Sequence, residues 1–284
     1  MNYITADYAK NPSLFVPAWA GHWAPPAWLL DFNEKALLMR THGVRLMSFA
    51  HRADDNIFYP ENSLEAVLSC IAMGVDVLEL DVDMTKDKVL VLSHDNTLTR
   101  CTNVAQMRAE IPGVFPESDR FSQWTYEQVA QLRLLDGKGK PTTCQVPRFE
   151  DVLKVCSGKI MMVLDKLEEV AADDGKTEDA WREAYLYPLM EKYDSKPSCC
   201  TGWHFALHDF WILGSYSKEA TAHWKELSAA GKTGHCCMEG GIFIPSLDHL
   251  DTWKELEQIG VDCIMTNHPM ELVRYIAEKY APCP

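Results

Sequence analysis

The sequence predicts an α/β protein that folds as a (β/α)8 barrel in a single domain. Short apolar runs typical of strands alternate along the chain with segments whose apolar residues recur at helical spacing. This alternation is typical of parallel β-α units. The length of 284 residues suits a barrel, which needs about 250 residues. The glycine fingerprints of dinucleotide-binding folds and P-loops are absent from the sequence, which favours the barrel further.

Two regions are expected along the chain. Residues 1–44 are predicted to be an N-terminal extension that packs on the barrel, because Trp19, Trp23 and Trp28 lie among prolines without an amphipathic pattern. Residues 45–284 are predicted to be the barrel itself. No linker rich in Gly, Ser or Pro divides this second region, so we expect one domain.

The first β-α unit has the clearest pattern. Residues 45–50 form an apolar run typical of a buried strand. Asn62 is predicted to be the N-cap of the first helix, because Glu65 follows three positions later as in a capping box. Apolar residues then recur at helical spacing as far as Ile71, and Gly74 is expected to end the helix.

The later elements continue the alternation. Further strands are predicted over residues 75–82, 89–93, 160–164 and 261–266. Further helices are predicted over residues 126–132, 149–156, 178–193, 247–259 and 269–280. Pro188 is expected to kink the helix that contains it. The segment 198–244 is less regular, and we expect short strands there with one helix near residues 218–230.

The charge balance restricts the ligands. The chain carries 41 acidic against 27 basic residues, a net charge of -14, and such a field repels nucleic acid. A small anionic substrate would need a local positive site made by a cation, an Arg or a Lys. No run of 18 apolar residues and no signal-peptide pattern occur, so a cytoplasmic location is favoured. A secreted or periplasmic location stays open if a leader has been removed.

Polar residues stand at the carboxyl ends of the predicted strands, where barrel enzymes have their active sites. In chain order they are His51, Arg52, Glu79, Asp81, His94, Asp95, Asp165 and Lys166. Glu79 and Asp81 are two positions apart on one strand, so both are expected to face the barrel interior. Two neighbouring anions need a compensating cation, and hard oxygen ligands favour Mg²⁺ or Ca²⁺. Ordinary ion pairs with Arg or Lys are the alternative explanation.

Two histidines flank this carboxylate pair in the predicted order of strands. Imidazole titrates near neutral pH, so His51 and His94 are candidates for a proton acceptor and a proton donor. Structural hydrogen bonding is the alternative role for each ring. The guanidinium of Arg52 suits a phosphate, and Lys166 adds a point charge. Together with a cation, these groups favour a reaction on an anionic phosphoester.

Several motifs carry a resemblance to a known family. The residue pair HR at 51–52, the tetrapeptide PENS at 60–63 and the string GVDVLELDVDMTKDKVLVLSHDNTLTRCTN at 74–103 resemble the glycerophosphodiester phosphodiesterase family. VPRFEDVL at 146–153 and GVDCIMTNHP at 260–269 are also similar to it. The resemblance covers about residues 48–166 well and 251–280 moderately.

The resemblance implies a metal-dependent (β/α)8 enzyme that hydrolyses a small glycerophosphodiester to an alcohol and glycerol phosphate. It implies His51 and His94 as the acid-base pair, Arg52 as a phosphate ligand, and Glu79 and Asp81 as ligands of a divalent cation. Glu61 is implied as a further ligand or as a contact to substrate hydroxyls.

The match departs from the family at three places. The family's third carboxylate stands in an E-x-K pattern, whereas this chain reads Leu164-Asp165-Lys166. We carry metal binding to Asp165 and phosphate binding to Lys166 across this shift of one position. Ala53 replaces the glycine of the family's HRG motif. The tryptophan motif of the seventh strand is absent, and residues 236–243 stand in its place.

These departures leave the substrate headgroup open. One alternative is a phospholipase-like barrel of the phosphatidylinositol-phospholipase C or sphingomyelinase D type, which acts on a lipid headgroup. Exposed apolar residues around the rim would favour it. Another alternative is a catalytically silent barrel that only binds a phosphorylated ligand.

Overall fold

The fold is described from a computed structural model. It describes residues 46–54, 57–157, 159–193, 195, 199–201, 210–213, 235–238, 250–258 and 263–279. The predicted extension over residues 1–44 and the predicted helix near residues 218–230 lie outside these ranges.

The described strands belong to one sheet. They are β1 (Met47–Ala50), β2 (Val77–Met84), β3 (Leu90–Leu92), β4 (Met161–Asp165), β5 (Cys199–Thr201), β6 (Phe210–Leu213), β7 (His235–Met238) and β8 (Cys263–Thr266). The main path runs β5-β4-β2-β1-β8-β7-β6, and its neighbours are parallel. The first and last of the described strands, β1 and β8, are therefore adjacent, as a barrel requires. These pairings confirm the parallel α/β architecture. Among the described pairings none joins β5 to β6, so closure of the sheet into a barrel stays a prediction.

One predicted barrel strand has a different role. β3 pairs antiparallel with the end of β2, with Val82 opposite Leu92 and Met84 opposite Leu90. Only residues 85–89 connect the two strands, and a parallel crossover needs about a dozen residues or more. The prediction that residues 89–93 form a third parallel strand is therefore wrong. The hairpin returns the chain toward the middle of β2.

Helices lie between the strands of the described chain and after the last of them. They are α1 (Leu64–Met73), α2 (Val104–Glu110), α3 (Tyr126–Val129), α4 (Phe149–Cys156), α5 (Leu167–Asp173), α6 (Glu178–Trp181), α7 (Tyr187–Lys192), α8 (Leu250–Gln258) and α9 (Pro269–Lys279). The sequence did not predict α2 and α5. A π-helical segment, Arg182–Leu186, joins α6 to α7, so the irregularity begins before Pro188. The chain described here contains no helix with the length and apolar character needed to cross a bilayer.

The start of α1 corrects the predicted cap. Ser63 is the N-cap, and its hydroxyl accepts a hydrogen bond from the backbone N–H of Ala66 at 3.1 Å. Asn62 instead has a left-handed backbone, with φ of 56°, and its amide binds Asp81. Gly74 ends the helix with φ of 80° as predicted.

Two apolar cores support the sheet and the segment that follows it. Alternate residues of β2, including Leu78 and Leu80, pack with α1 and α4 in the main core. A second cluster lies within residues 91–146 around Phe121 and Trp124. This insertion between β3 and α4 therefore has a buried core of its own beside the sheet.

Candidate active site

Three carboxylates meet where β2 and β4 lie side by side. One oxygen from each of Glu79, Asp81 and Asp165 lies within 4.8 Å of the others. The two-residue period of β2 places Glu79 and Asp81 on one face, and the register sets Asp165 opposite Asp81. Glu79 and Asp81 are each only 1% exposed. We call these three residues the carboxylate cluster.

Burial dominates the electrostatics of the cluster. Burial and the charge of Asp81 raise the pKa of Glu79 well above its ordinary value, although the Arg52 backbone N–H opposes the shift. Burial also raises the pKa of Asp81, against the lowering effect of His94, Arg52 and the Asn62 amide. Buried anions in need of positive charge, with hard oxygen donors at this spacing, fit Mg²⁺ or Ca²⁺.

Asn62 fixes the orientation of Asp81. Its Nδ2 donates to the Asp81 carboxylate at 2.8 Å, and its Oδ1 accepts from the Asp81 backbone N–H at 3.1 Å. The reciprocal pair satisfies both ends of the amide. Asn62 is thus a site residue that the sequence reasoning assigned to the wrong role.

Arg52 lies against the cluster after the end of β1. Its backbone N–H donates to Glu79 at 2.8 Å, while Nε of the guanidinium is 3.6 Å from an Asp81 oxygen. Nη1 is 3.4 Å from Glu61. Nε is buried without a hydrogen-bond partner among the described groups. A buried N–H donor therefore stands beside the carboxylates.

His51 lies at the same edge of the sheet. Its Nδ1 is 2.7 Å from the Oδ1 of Asn267, which follows β8, and its Nε2 is 4.0 Å from Glu79. The backbone N–H of His51 also donates to Thr266 at 3.1 Å. Because β8 neighbours β1, these contacts hold the ring beside the cluster. The sequence reasoning did not assign a role to Asn267.

The β2-β3 hairpin delivers His94 to this edge. The backbone N–H of Ser93 donates to the carbonyl of Asp81 at 3.0 Å, so the next residue begins beside the cluster. The Nδ1 of His94 is 2.7 Å from Asp95. Burial opposes ionisation of Asp95, but hydrogen bonds from Arg100 and His94 lower its pKa to about 2. Asp95 is therefore an ionised partner of the ring at neutral pH.

Glu61 belongs to a neighbouring ion network rather than to the carboxylate cluster. Arg100 donates to its two oxygens at 2.9 and 2.7 Å and also binds Asp95 at 2.6 Å. Arg100 lies within the string at residues 74–103 that carries the family resemblance, although no role was assigned to it. A cavity of about 250 Å³ opens between Glu61, Arg100 and residues 134–139. Residues of the insertion thus form one wall of this cavity.

Lys166 follows Asp165 directly and completes the set of predicted residues. It has a left-handed backbone with φ of 69°, and its Nζ is 3.2 Å from Glu169. Burial opposes a positive charge here, but the hydrogen bond to Glu169 and the charges of Asp165 and Asp81 raise the pKa of Lys166. Its ammonium therefore stays charged near the cluster.

Known proteins share both the motifs and the fold. The profile of the Glycerophosphoryl diester phosphodiesterase family matches residues 51–201, more than half of the chain. A glycerophosphodiester phosphodiesterase of Bacillus altitudinis is 45% identical over 121 residues, which are 41% of this chain and 42% of that protein. A lysophospholipase D of Rattus norvegicus is 40% identical over 73 residues, which are 24% of this chain and 22% of that protein. These alignments span less than half the length of either relative.

A solved structure extends the likeness of fold. The crystal structure of a glycerophosphoryl diester phosphodiesterase from Parabacteroides distasonis superposes with a TM-score of 0.57 at 19% identity. The match covers 89% of this chain and 93% of that one. The shared architecture therefore extends well beyond the segment matched by the family profile.

Proposed function

Since this chain belongs to the glycerophosphoryl diester phosphodiesterase family, we propose that it hydrolyses a small glycerophosphodiester to an alcohol and glycerol phosphate. The observation that carries the proposal is the convergence of the carboxylate cluster with Arg52, His51 and His94 at one edge of the sheet. The likeness of fold further supports closure of the sheet into a (β/α)8 barrel.

Glu79, Asp81 and Asp165 would hold a divalent cation, Mg²⁺ or Ca²⁺. When bound, this cation would draw negative charge from the phosphoryl oxygens. Asn62 keeps the Asp81 carboxylate oriented for this role through its two hydrogen bonds. Such supporting contacts around metal ligands influence metal affinity.

Arg52 and Lys166 would bind the phosphate. The backbone of Arg52 is fixed by Glu79, and its buried Nε–H is directed toward the cluster. A charged donor that is already oriented loses little freedom when it binds an anion. Lys166, at the end of β4, adds a second positive charge beside Asp165.

The two histidines have different neighbours, and this difference supports a division of roles. Oδ1 of Asn267 accepts a hydrogen bond from Nδ1–H of His51, which leaves the lone pair on Nε2. We assign His51 as the base that takes a proton from the attacking water, or from a substrate hydroxyl whose attack would give a cyclic phosphate that water then opens to glycerol phosphate. The ionised Asp95 binds Nδ1–H of His94 and stabilises positive charge on that ring. We assign His94 as the acid that protonates the leaving alkoxide.

A second candidate is cleavage of a lipid headgroup, as in the phospholipase-like alternative. The observation that favours it is a run of exposed apolar residues, Ile57, Phe58 and Tyr59, next to Glu61. The lysophospholipase D relative points in the same direction.

The test is an activity screen with glycerophosphocholine, glycerophosphoethanolamine, glycerophosphoinositol and lysolipids in added Mg²⁺ or Ca²⁺. We expect release of glycerol phosphate from a soluble diester, loss of activity in EDTA, and recovery with either cation.

His51→Ala and His94→Ala should each lose roughly 10²- to 10⁴-fold in rate. His268→Ala is the matched control, since that ring pairs with Glu271 on α9. Wild-type rates in either catalytic variant, or full activity without metal, would contradict the proposal.

A further inference from the structure

The loop between β1 and α1 presents a run of apolar side chains to solvent. Ile57 is 42% exposed, Phe58 is 57% exposed and Tyr59 is 40% exposed. Single exposed apolar residues are ordinary on protein surfaces. Three large ones in succession make a local patch, which is the kind of surface that marks an interaction site. We call these three residues the apolar tip.

The backbone of the apolar tip is held in place by one buried acid. The carboxylate of Asp54, which is only 1% exposed, accepts hydrogen bonds from the N–H groups of Ile57 at 2.9 Å, Phe58 at 3.2 Å and Tyr59 at 3.3 Å. The backbone of the tip therefore faces the protein, and its side chains are directed outward. A surface fixed in this way loses little conformational freedom when it binds.

The ends of the same loop are residues of the candidate active site. The N–H of Asn62 donates to the carbonyl of Arg52 at 2.9 Å, so the loop closes on itself beside the carboxylate cluster. Tyr59 precedes Glu61 by two residues, and two residues span at most about 7 Å. The apolar tip therefore borders the place where the phosphodiester would bind.

We propose that the apolar tip docks on the surface of a zwitterionic lipid aggregate, such as phosphatidylcholine vesicles or lysophosphatidylcholine micelles. Aliphatic and aromatic side chains of this kind insert at the boundary between headgroups and acyl chains. Each of the three side chains is at least 40% exposed, which leaves all three accessible to a lipid surface. The net charge of -14 disfavours an anionic surface. The inference rests on the proposed function for its substrate, a phosphodiester taken from the lipid surface.

Vesicle binding tests the surface without any need for turnover. The full chain should co-sediment with phosphatidylcholine vesicles, and Phe58→Ser should weaken binding by about tenfold, because burial of a phenylalanine contributes that much or more. Leu68→Ser is the matched control, since Leu68 is 45% exposed on α1; its binding should equal that of the wild type. Equal binding by the Phe58 and Leu68 variants, or tighter binding to phosphatidylglycerol than to phosphatidylcholine, would overturn the proposal.

Turnover separates this inference from the proposed function. We expect Phe58→Ser to hydrolyse glycerophosphocholine within about twofold of the wild-type rate and lysophosphatidylcholine micelles about tenfold more slowly. An enzyme inactive on both substrates would contradict the proposed function, while vesicle binding would still report on the apolar tip.

A change of oligomeric state in Phe58→Ser, measured by sedimentation velocity without lipid, would assign the tip to a second copy of the chain. Altered hydrogen exchange of residues 1–44 in that variant would assign it to the chain's own N-terminal segment, and either result would overturn the lipid proposal.

Discussion

Ala53 occupies a backbone conformation that suits glycine. Its φ is 65°, and an L-residue in the left-handed region costs about 1–2 kcal/mol. The methyl group is fully buried in the main core, which contributes about 0.8 kcal/mol. Burial therefore offsets part of the strain, which helps to explain how alanine stands where the resembling motif has glycine.

We predict that Ala53→Gly changes the free energy of unfolding by less than about 1 kcal/mol, because release of strain offsets the lost methyl and the greater freedom of the unfolded chain. Ala66→Gly is the control, since Ala66 is equally buried but lies in α1. It should cost about 2 kcal/mol, from helix propensity and the lost methyl together. Urea denaturation measures both values, and an equal loss in the two variants would refute the argument.

Asp95 is predicted to act by positioning His94. Asp95→Asn should lower kcat on the order of 10²-fold while KM changes little, because the amide holds the Nδ1–H of the ring less firmly than the carboxylate at 2.7 Å does. Asp119→Asn removes another acid paired with an arginine, Arg108, and should leave kcat unchanged. Steady-state kinetics decides the point. A rise in KM with kcat intact would instead assign Asp95 to substrate binding.

Residue pairs show where prediction from sequence succeeds and where it stops. The two-residue period of a strand was enough to place Glu79 and Asp81 on one face. The cap was misassigned because Asn62 binds Asp81, 19 positions away, and a local pattern contains no information on that partner. The contact of His51 with Asn267 joins residues 216 positions apart. Only the folded sheet brings such groups together.

Among the elements, the direction of β3 could not be read from its apolar composition. The composition of residues 89–93 fits a parallel or an antiparallel strand equally, and only the short connection from β2 excludes a crossover. His94 nevertheless lies at the predicted site. It does not follow a third barrel strand; it follows β3, which runs back along β2 and brings Ser93 to Asp81. Both its position at a predicted strand end and the resemblance pointed to His94, and the hairpin supplies the physical reason for its position.

One carboxylate on α4 joins this helix to the end of α7. Glu150 on α4 is 2.5 Å from Lys192 Nζ and 2.6 Å from the Tyr193 hydroxyl. These hydrogen bonds lower its pKa from 4.5 to about 2. A depressed carboxyl pKa contributes stability that is present above about pH 4.5 and is lost as pH falls toward 2.

We therefore predict that Glu150→Gln lowers the free energy of unfolding by about 1 kcal/mol at pH 7, a value that allows for solvent screening of this partly exposed pair. The difference between variant and wild type should shrink as pH falls from 5 toward 2. Urea denaturation across this range is the measurement. A difference that stays constant with pH would mean that lost packing, and not charge, is responsible.

For the whole molecule, the sequence predicted the order of strands and helices along the chain better than the pairing of the strands or the structure of the segments that connect them. β1 pairs with β8 in the sheet, although the two strands are far apart in sequence, and an apolar run contains no information on its partner strand. The insertion between β3 and α4 was not anticipated as a separate core, because its apolar residues, such as Phe115 and Trp124, lie in short and irregular elements. Periodicity is weak in such segments.

The molecule also concentrates buried negative charge on one strand face, although its net charge is already -14. Glu79, Asp81 and Asp83 follow one another at the period of the strand, and all three are buried. Burial raises the pKa of Asp83 to about 7, so above about pH 4 its ionisation lowers stability as pH rises toward 7. Function at this face is therefore expected to come at the expense of stability.

We predict that Mg²⁺ or Ca²⁺ raises the melting temperature at pH 8, since a ligand at about 100 times its Kd contributes about 2.7 kcal/mol. Glu79→Gln should be more stable than the wild type without metal, by roughly 1–2 kcal/mol, because it removes a buried carboxyl group whose ionisation is disfavoured by burial. Its amide oxygen still accepts the Arg52 N–H. The variant should also lose the response to the cation.

Asp83→Asn is the matched control: it removes an acid of the same strand face outside the carboxylate cluster, so it should be stabilised without metal yet keep that response. An equal rise in melting temperature for Glu79→Gln and Asp83→Asn on adding cation would mean that the carboxylate cluster is not the metal site.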